Sequence, residues 1–175
     1  MKLRMIVLST VLLAGGAYAA RSAYQAPVKP GKEHELLKHM VGNWDAVVDM
    51  MGSQEPGTMT TTLGMDGLWT VSDYKGTTMG MPFIGHEVMG YDPAKKKYLS
   101  CWVDSSSTNM TLTEGTWDEA TKTLTMSGKV TDPAMGEMSM VSKIQVPDAD
   151  HHIYTMHMGT AETPPVLTIT YTRKK

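Results

Sequence analysis

The sequence has a single cysteine, Cys101, and a single phenylalanine, Phe83. One cysteine allows no internal disulfide, and its alternation with Leu99 and Val103 indicates a small buried hydrophobe rather than a nucleophile. A charge excess of one sign is also lacking, because 16 Lys and Arg stand against 18 Asp and Glu. That balance argues against nucleic acid as a partner, since such partners require basic surfaces.

Large aliphatic residues are scarce as well. From residue 20 onward Leu, Ile, Val and Phe together number only 24, a count low enough to suggest disorder. The same segment holds 15 Met and four Trp, however, together with many Thr. Met fills a core as Leu does, and Thr and the aromatic residues favour pleated surfaces. We therefore predict a folded all-β protein with a methionine-rich interior.

Residues 1–19 have the pattern of an export signal. Lys2 and Arg4 precede an apolar run of about ten residues, and Ala17 and Ala19 form the small-x-small site expected for cleavage. The run is too short to span a bilayer comfortably. We expect a mature chain that begins at Ala20, has no membrane span, and is periplasmic or secreted.

The remaining sequence predicts a linker and one domain. Residues 20–31 read as a linker, and Lys32–Val41 is the one convincing helix, because its apolar residues have helical spacing and Gly42 follows it. From Asn43 the apolar period changes to two, and ten short runs follow, bounded by turn residues. The runs are 43–50, 58–64, 68–75, 81–91, 98–105, 109–117, 122–131, 137–146, 151–158 and 166–173. We predict that residues 32–175 form a single antiparallel up-and-down barrel of about ten strands, because closure removes both sheet edges.

The hairpin around Asp92 and Pro93 gives a hypothesis for the barrel interior. If its turn pairs Tyr91 with Tyr98, Glu87 faces Trp102 on one side of the sheet. The next hairpin, closed around 105–109, adds Met110, Leu112 and Glu114 to that face. The opposite face is almost as apolar, so the period leaves the choice of inner face open; we take the Trp102 face as the inner one. The predicted interior ligand-binding residues are Trp44, Phe83, Glu87, Tyr91, Trp102, Asp104, Glu114 and Tyr154.

Several segments resemble a known family. They are LKHMVGNW at 37–44, MGMPFIG at 79–85, GYDPAKKKYLSCWVD at 90–104, EGT at 114–116 and ITYTRK at 169–174. Together they resemble a family of uncharacterised bacterial proteins, a domain of unknown function with a calycin-like (lipocalin-like) barrel. The resemblance implies the fold and hardly constrains the function, because one fold hosts many functions.

The leading functional hypothesis is an exported barrel that binds a small apolar or amphipathic ligand in its interior. One alternative is a purely structural barrel filled by its own side chains. Another is a periplasmic Cu(I)-binding protein, since thioethers are soft ligands and imidazole supplements them. Its ligands would come from one face of the hairpin 137–158: Met138, Met140, His152, Met156 and Met158.

Two further ideas rest on fewer residues. Haem is conceivable as a cofactor with His152 as the axial ligand, on the analogy of a nitrobindin-like barrel that begins with a similar Gly42-Asn43-Trp44 entry. Acid–base catalysis would need Glu87, Asp104 and Glu114 to cluster. The sequence has no nucleophile elbow, phosphate-binding glycine loop or HExxH motif, so we predict no enzyme activity. The oligomeric state is left open.

Overall fold

The computed structural model describes residues 28–132 and 134–175. The predicted export signal and most of the predicted linker lie outside these residues, so export stays a prediction. In the described part of the chain, no helix is both long and apolar enough to cross a membrane.

Ten antiparallel strands close into a barrel, in agreement with the predicted fold. Each strand pairs with its neighbours in sequence, and β1 pairs with β10 to close the sheet. One short helix precedes the strands, inside the range predicted for it. The elements are α1 (His34–Met40), β1 (Gly42–Met50), β2 (Ser53–Gly64), β3 (Trp69–Thr78), β4 (Met81–Asp92), β5 (Lys97–Asp104), β6 (Thr111–Asp118), β7 (Thr123–Asp132), β8 (Gly136–Gln145), β9 (His151–Met158) and β10 (Leu167–Arg173).

Helix α1 covers one end of the barrel. Its apolar residues Leu36, Leu37 and Met40 are buried in one cluster with inward-facing strand residues such as Tyr98 and Leu124. The Tyr98 hydroxyl donates a hydrogen bond of 2.7 Å to a backbone carbonyl just before the helix. Because this end is filled by large side chains, the described part of the chain closes the barrel here and leaves the opposite end open.

Arg173, near the end of β10, links the helix to the barrel through hydrogen bonds. Its guanidinium donates to the carbonyls of His39 (3.1 Å), Val41 (2.7 Å) and Ala149 (2.9 Å). It also lies 4.1 Å above the ring of Trp44, whose indole N–H donates to the last carbonyl of α1. A partly buried cation needs such partners, and here they join the helix, β1, β10 and the turn between β8 and β9.

The hairpin of β4 and β5 has the predicted register. Glu87 pairs with Trp102 and Tyr91 with Tyr98, and the Asp92 carboxylate accepts the backbone N–H groups of the turn. Tyr98 and alternate residues of β5 face inward. The choice of the Trp102 face as the inner one is therefore supported, and Cys101 lies half-buried on the outer face.

The next hairpin differs from the prediction by one residue. Trp102 pairs with Thr111, so Met110, Leu112 and Glu114 do not share the inner face, and their predicted interior placement is wrong. The loop between β5 and β6 is shaped by local hydrogen bonds to the Asp104 carboxylate and the Ser107 hydroxyl. These bonds set its length, and a shift of one residue turns every side chain to the other face.

Strand β2 begins at Ser53, five residues before the predicted Thr58. Pro56 and Gly57 look like strand breakers in the sequence. Pro56 pairs with Val47 of β1 but lies beyond Gly57–Gly76, the last pair that joins β2 to β3. Its missing N–H therefore costs the β2–β3 ladder no hydrogen bond.

Two turns at the open end have the same unusual sequence. Met51-Gly52 joins β1 to β2 and Met79-Gly80 joins β3 to β4, and all four residues have positive φ. Two-residue hairpins of this kind favour Asn-Gly, because Asn tolerates the left-handed region better than Met. The methionine side chains at these tips are 94% and 79% exposed, so nothing in the packing requires them.

Replacing Met79 by Asn should therefore stabilise the protein. We expect a gain of about 0.5–1 kcal/mol, because a bulky residue with φ of 53° is strained where Asn is not. The matched control is Met110→Asn, since Met110 is also exposed but is not among the residues with positive φ. Urea unfolding should show a higher midpoint for the first variant alone. An equal or lower midpoint for Met79→Asn would contradict this reading of the turn.

Candidate functional site

The barrel encloses a cavity of about 400 Å³ between the helix-covered end and the open end. It exists because many central inward positions carry small hydroxyl residues rather than large apolar ones. Five of these positions are buried: Thr61, Thr70, Ser72, Ser100 and Ser142. Their hydroxyls find local partners, as in the 2.9 Å hydrogen bond between Thr61 and Ser72. Small, satisfied side chains leave the interior space unfilled.

Aromatic rings line one wall of the cavity, on β3, β4 and β5. Phe83 and Trp102 are stacked with centroids 6.4 Å apart, and Tyr74 meets Phe83 edge-on at 5.9 Å. Gly85 makes this arrangement possible, because a Cβ there would lie 2.1 Å from the Trp102 ring. The indole ring therefore lies flat across the neighbouring strand.

Glu87 is the ionisable group set deepest in this wall. One carboxyl oxygen, Oε1, accepts a hydrogen bond of 2.5 Å from the Ser100 hydroxyl. Burial raises the pKa of the Glu87 carboxyl above its ordinary value, and the Ser100 hydrogen bond opposes that rise only in part. The side chain keeps some accessible surface, but that surface faces the cavity rather than bulk water. Burial therefore favours the neutral acid.

Asp104 lies nearer the open end, beside Trp102, and behaves differently. Burial pushes its pKa up, but hydrogen bonds from Ser106, the Trp102 indole and the backbone outweigh that effect and hold the pKa below its usual range. The indole N–H donates at 2.8 Å and the Ser106 hydroxyl at 2.6 Å. Asp104 is therefore a carboxylate at neutral pH, fixed by its own loop.

The opposite wall, on β7 to β10, is mainly apolar. It consists largely of methionine and branched aliphatic side chains, with Tyr154 among them. Burial and the nearby Glu87 charge raise the pKa of Tyr154 to about 12, so this phenol stays neutral. The apolar residues of this wall are Met126, Val130, Met140, Ile144, Met156, Leu167 and Ile169.

His152 lies towards the closed end, held by two aromatic rings. It stacks on Tyr171 at 4.3 Å and meets the edge of Trp44 at 4.4 Å. Burial lowers its pKa to about 3, with help from the positive charges of Arg173 and His39. The imidazole is therefore neutral. The haem hypothesis for His152 stays a prediction.

The structure divides the predicted interior residues. Phe83, Glu87, Trp102, Asp104 and Tyr154 do line the cavity, as the sequence predicts. The other three do not. Trp44 is fully buried at the helix-covered end, where its indole N–H donates to a backbone carbonyl of α1. Tyr91 lies at that end as well, 6.2 Å from the His34 ring. Glu114 is outside, where Lys95 and Lys97 bind its carboxylate, so no cluster with Glu87 and Asp104 forms.

The predicted copper ligands share one face of β8 and β9, as the register requires. Met140 pairs with Met158, and Ser142 pairs with Met156. Met140, His152 and Met156 line the cavity, whereas Met138 and Met158 do not. Within the described residues, no group of three or more His, Cys, Asp or Glu side chains is placed to hold a metal ion.

The sequence analysis did not single out two inward residues on the same side of the barrel as Phe83 and Trp102. They are Tyr74 on β3 and Glu55 on β2. The Tyr74 ring is 3% exposed, and its hydroxyl lies where Gly57 leaves room. Glu55 belongs to the part of β2 that the sequence did not predict, and its Oε1 accepts the Gly80 N–H at 3.0 Å. The alternation of β3, predicted over 68–75, would have revealed Tyr74, and that of β2 would have revealed Glu55 once the strand was extended to Ser53.

The open end of the barrel carries an apolar rim. Four of its five turns, those after β1, β3, β5 and β7, have strongly exposed methionines at or beside them. Met51 and Met79 are at turn tips, and Met81, Met110 and Met135 are nearby. Exposed apolar residues gathered around a cavity mouth mark a binding surface more often than scattered ones do.

These features define a closed, ten-stranded calycin-like barrel with an internal cavity. Residues 29–173 match the model of the family described as protein of unknown function (DUF1579), and the chain belongs to that family. A search of curated proteins found no match.

Two solved structures are similar to this chain. An S-type phycobiliprotein lyase from Guillardia theta has a TM-score of 0.53 and 13% identity, over 82% of this chain and 93% of that one. A redesigned beta barrel has a TM-score of 0.42 and 14% identity, over 79% and 94%. At such identities the lyase shows the fold alone, and the weaker likeness carries no argument.

Replacing Glu87 by Gln should stabilise the protein, and increasingly so as the pH rises. Below about pH 4.3 the carboxyl is protonated in both folded and unfolded chains. Above it the unfolded chain loses the proton that burial retains in the folded one, so stability falls by up to about 1.4 kcal/mol per pH unit until the raised pKa is reached. The variant lacks this loss.

The free energy of unfolding in urea, measured from pH 4 to pH 8, checks this. The difference between variant and wild type should grow with pH. Glu114→Gln is the control, because the Lys97 and Lys95 hydrogen bonds lower the pKa of that exposed carboxyl, and its difference should not grow in the stabilising direction. A pH-independent difference for Glu87→Gln would show that the carboxyl is not neutral in the fold.

Proposed function

We propose that the protein binds one small amphipathic molecule inside the barrel. The observation that carries this proposal is the cavity of about 400 Å³, with an apolar wall facing a polar and aromatic one. Its volume falls within the range of about 300–1,000 Å³ that is usual for small-molecule sites. A barrel with a purely structural role would be expected to fill these positions, because empty space costs stability.

The methionine rim supports the same proposal. An amphipathic molecule entering the open end would first meet the exposed thioethers of residues such as Met79 and Met110. Methionine is flexible and polarisable, so it adapts to differently shaped apolar molecules. The rim would therefore assist entry without fixing the identity of the ligand.

A cavity-filling variant tests the proposal. N-phenyl-1-naphthylamine, a small fluorescent amphiphile, should bind the wild type with a rise in its emission. Ser72→Phe places a phenyl ring where Ser72 lines the cavity and should weaken binding by about tenfold or more. Lys75→Phe, an exposed outward position on the same strand, is the matched control and should bind as the wild type does.

Trp102 supplies an independent readout for the same titration. Its ring lines the cavity, so bound probe should quench its fluorescence by energy transfer, and Trp102→Phe should remove most of that quenching. Binding that survives in Ser72→Phe would place the probe outside the barrel. The absence of any binding by the folded wild type would end the proposal for ligands of this size.

A second candidate function is Cu(I) binding, favoured by the methionines that share the inward face of β8 and β9. Met140 and Met158 are direct cross-strand neighbours, and Met156 lies two residues along the same strand face. Thioethers prefer Cu(I) over harder ions. Changing Met156 and Met158 to Leu should abolish binding in a competition titration while costing less than about 1.5 kcal/mol of stability. A wild type that fails to compete for Cu(I) rules this candidate out.

A further inference from the structure

The two halves of the cavity differ in charge. Among the described residues, the carboxyl groups that line the cavity are those of Glu87 and Asp104, on β4 and β5. Glu55 of β2 is on the same side of the barrel but does not line the cavity. The lining contributed by β7 to β10 has no acid, and its one imidazole is the buried His152 at the closed end. The interior is therefore polarised from one wall to the other, with negative charge on a single side.

No lysine or arginine among the described residues lines the cavity. Several basic side chains instead bind outer carboxylates or backbone carbonyls. Lys97 binds Glu114, Lys129 binds Glu137, and Lys143 donates to the Ala161 carbonyl. A bound anion would therefore meet carboxyl groups with no neighbouring cation, whereas a bound cation would meet a wall of its opposite charge.

The acidic wall also has unused hydrogen-bonding capacity. Oε2 of Glu55 and the hydroxyl of Tyr74 are buried without a partner in the described part of the chain. Oε2 of Glu87 is in none of the hydrogen bonds formed there, since Ser100 binds only Oε1. The Glu55 and Tyr74 atoms have no surface open to the cavity, whereas the Glu87 side chain lines it. The free oxygen of Glu87 is therefore the one that a donor group of a bound molecule would satisfy.

Aromatic faces accompany these acids. Tyr74, Phe83 and Trp102 form a continuous set of rings on β3 to β5, next to Asp104 and Glu87. Aromatic faces attract cations through the ring quadrupole, and cages of rings with a nearby carboxylate suit substituted ammonium groups. The opposite wall of methionine and aliphatic side chains offers a surface for a hydrocarbon body.

We propose that the ligand is a cationic amphiphile, with a protonated or quaternary amine against the acidic and aromatic wall of β2 to β5 and a hydrocarbon part against β7 to β10. This rests on the proposed function, because it specifies the chemistry of the same cavity. The ammonium group lies between Glu87 and Asp104, near the Trp102 ring. Fatty acids and other anionic amphiphiles are disfavoured, because their carboxylate would meet the ionised Asp104 with no lysine or arginine lining the cavity.

Displacement of N-phenyl-1-naphthylamine by three ten-carbon compounds tests the charge preference. The compounds are decyltrimethylammonium, decanol and decanoate, each below its micelle concentration and at neutral pH. We expect the cation to displace the probe at a concentration about tenfold or more below that of decanol, and decanoate to be the weakest. Equal potency, or stronger displacement by decanoate, would overturn the proposal.

Two variants locate the preference. Asp104→Asn removes a fixed charge, and Glu87→Gln removes a carboxyl group that can ionise beside a bound ammonium group. Each keeps the shape of its side chain, so each should bring decyltrimethylammonium towards the potency of decanol and leave decanol unchanged. Glu114→Gln, outside the barrel, should leave all three compounds unaffected. A preference that persists in both inner variants would place the cation elsewhere and refute the assignment.

The outcomes separate the two proposals. If decanol displaces the probe and the cation has no advantage, the cavity binds amphiphiles and only the charge assignment fails. If the probe itself does not bind the folded wild type, the proposed function fails and the assignment fails with it. Thermal unfolding of each variant confirms that a lost preference is not a lost fold.

Discussion

Closure of the sheet between β1 and β10 is the constraint on which the rest of the structure depends. A closed sheet has no edges, so every strand must place alternate residues either in the interior or in solvent. Ten strands enclose more space than the large side chains of this chain fill, because Ser and Thr occupy many inner positions. The cavity follows from that combination, since α1 and Arg173 close one end only.

The same alternation separates charge. Outward acids such as Glu114 and Glu137 find lysine partners in solvent, where such pairs contribute little to stability. Within the described residues, the inward acids Glu87 and Asp104 have no lysine partner, and different contacts set the pKa of each. Burial raises the pKa of Glu87, whereas the hydrogen bonds of its loop hold the pKa of Asp104 below its usual range. Two carboxyl groups within one wall thus have pKa values shifted in opposite directions, and Asp104 gives the cavity a fixed negative charge.

The fold could be predicted from the sequence because period-two runs are a strong signal, and the Asp92-Pro93 turn fixed the pairing of Glu87 with Trp102. The site could be predicted only in part. The register of β5 and β6 depends on the length of the loop between them, which hydrogen bonds to the Asp104 carboxylate determine. The predicted loop was one residue off, so Glu114 was assigned to the wrong face. Pro56 concealed the first residues of β2 and with them Glu55. Neither the length of the β5–β6 loop nor the start of β2 can be read from the spacing of apolar residues.

The methionines make the central claim, a ligand bound within the cavity, directly measurable. Methyl spectra of the protein with labelled methionine, recorded during titration with N-phenyl-1-naphthylamine, report on both the interior and the surface. Met126, Met140 and Met156 line the cavity, whereas Met65 is exposed at the helix-covered end. Our account predicts that the first three resonances shift together, with one dissociation constant, while that of Met65 stays in place. Shifts confined to exposed methionines, with the cavity resonances unchanged, would contradict it.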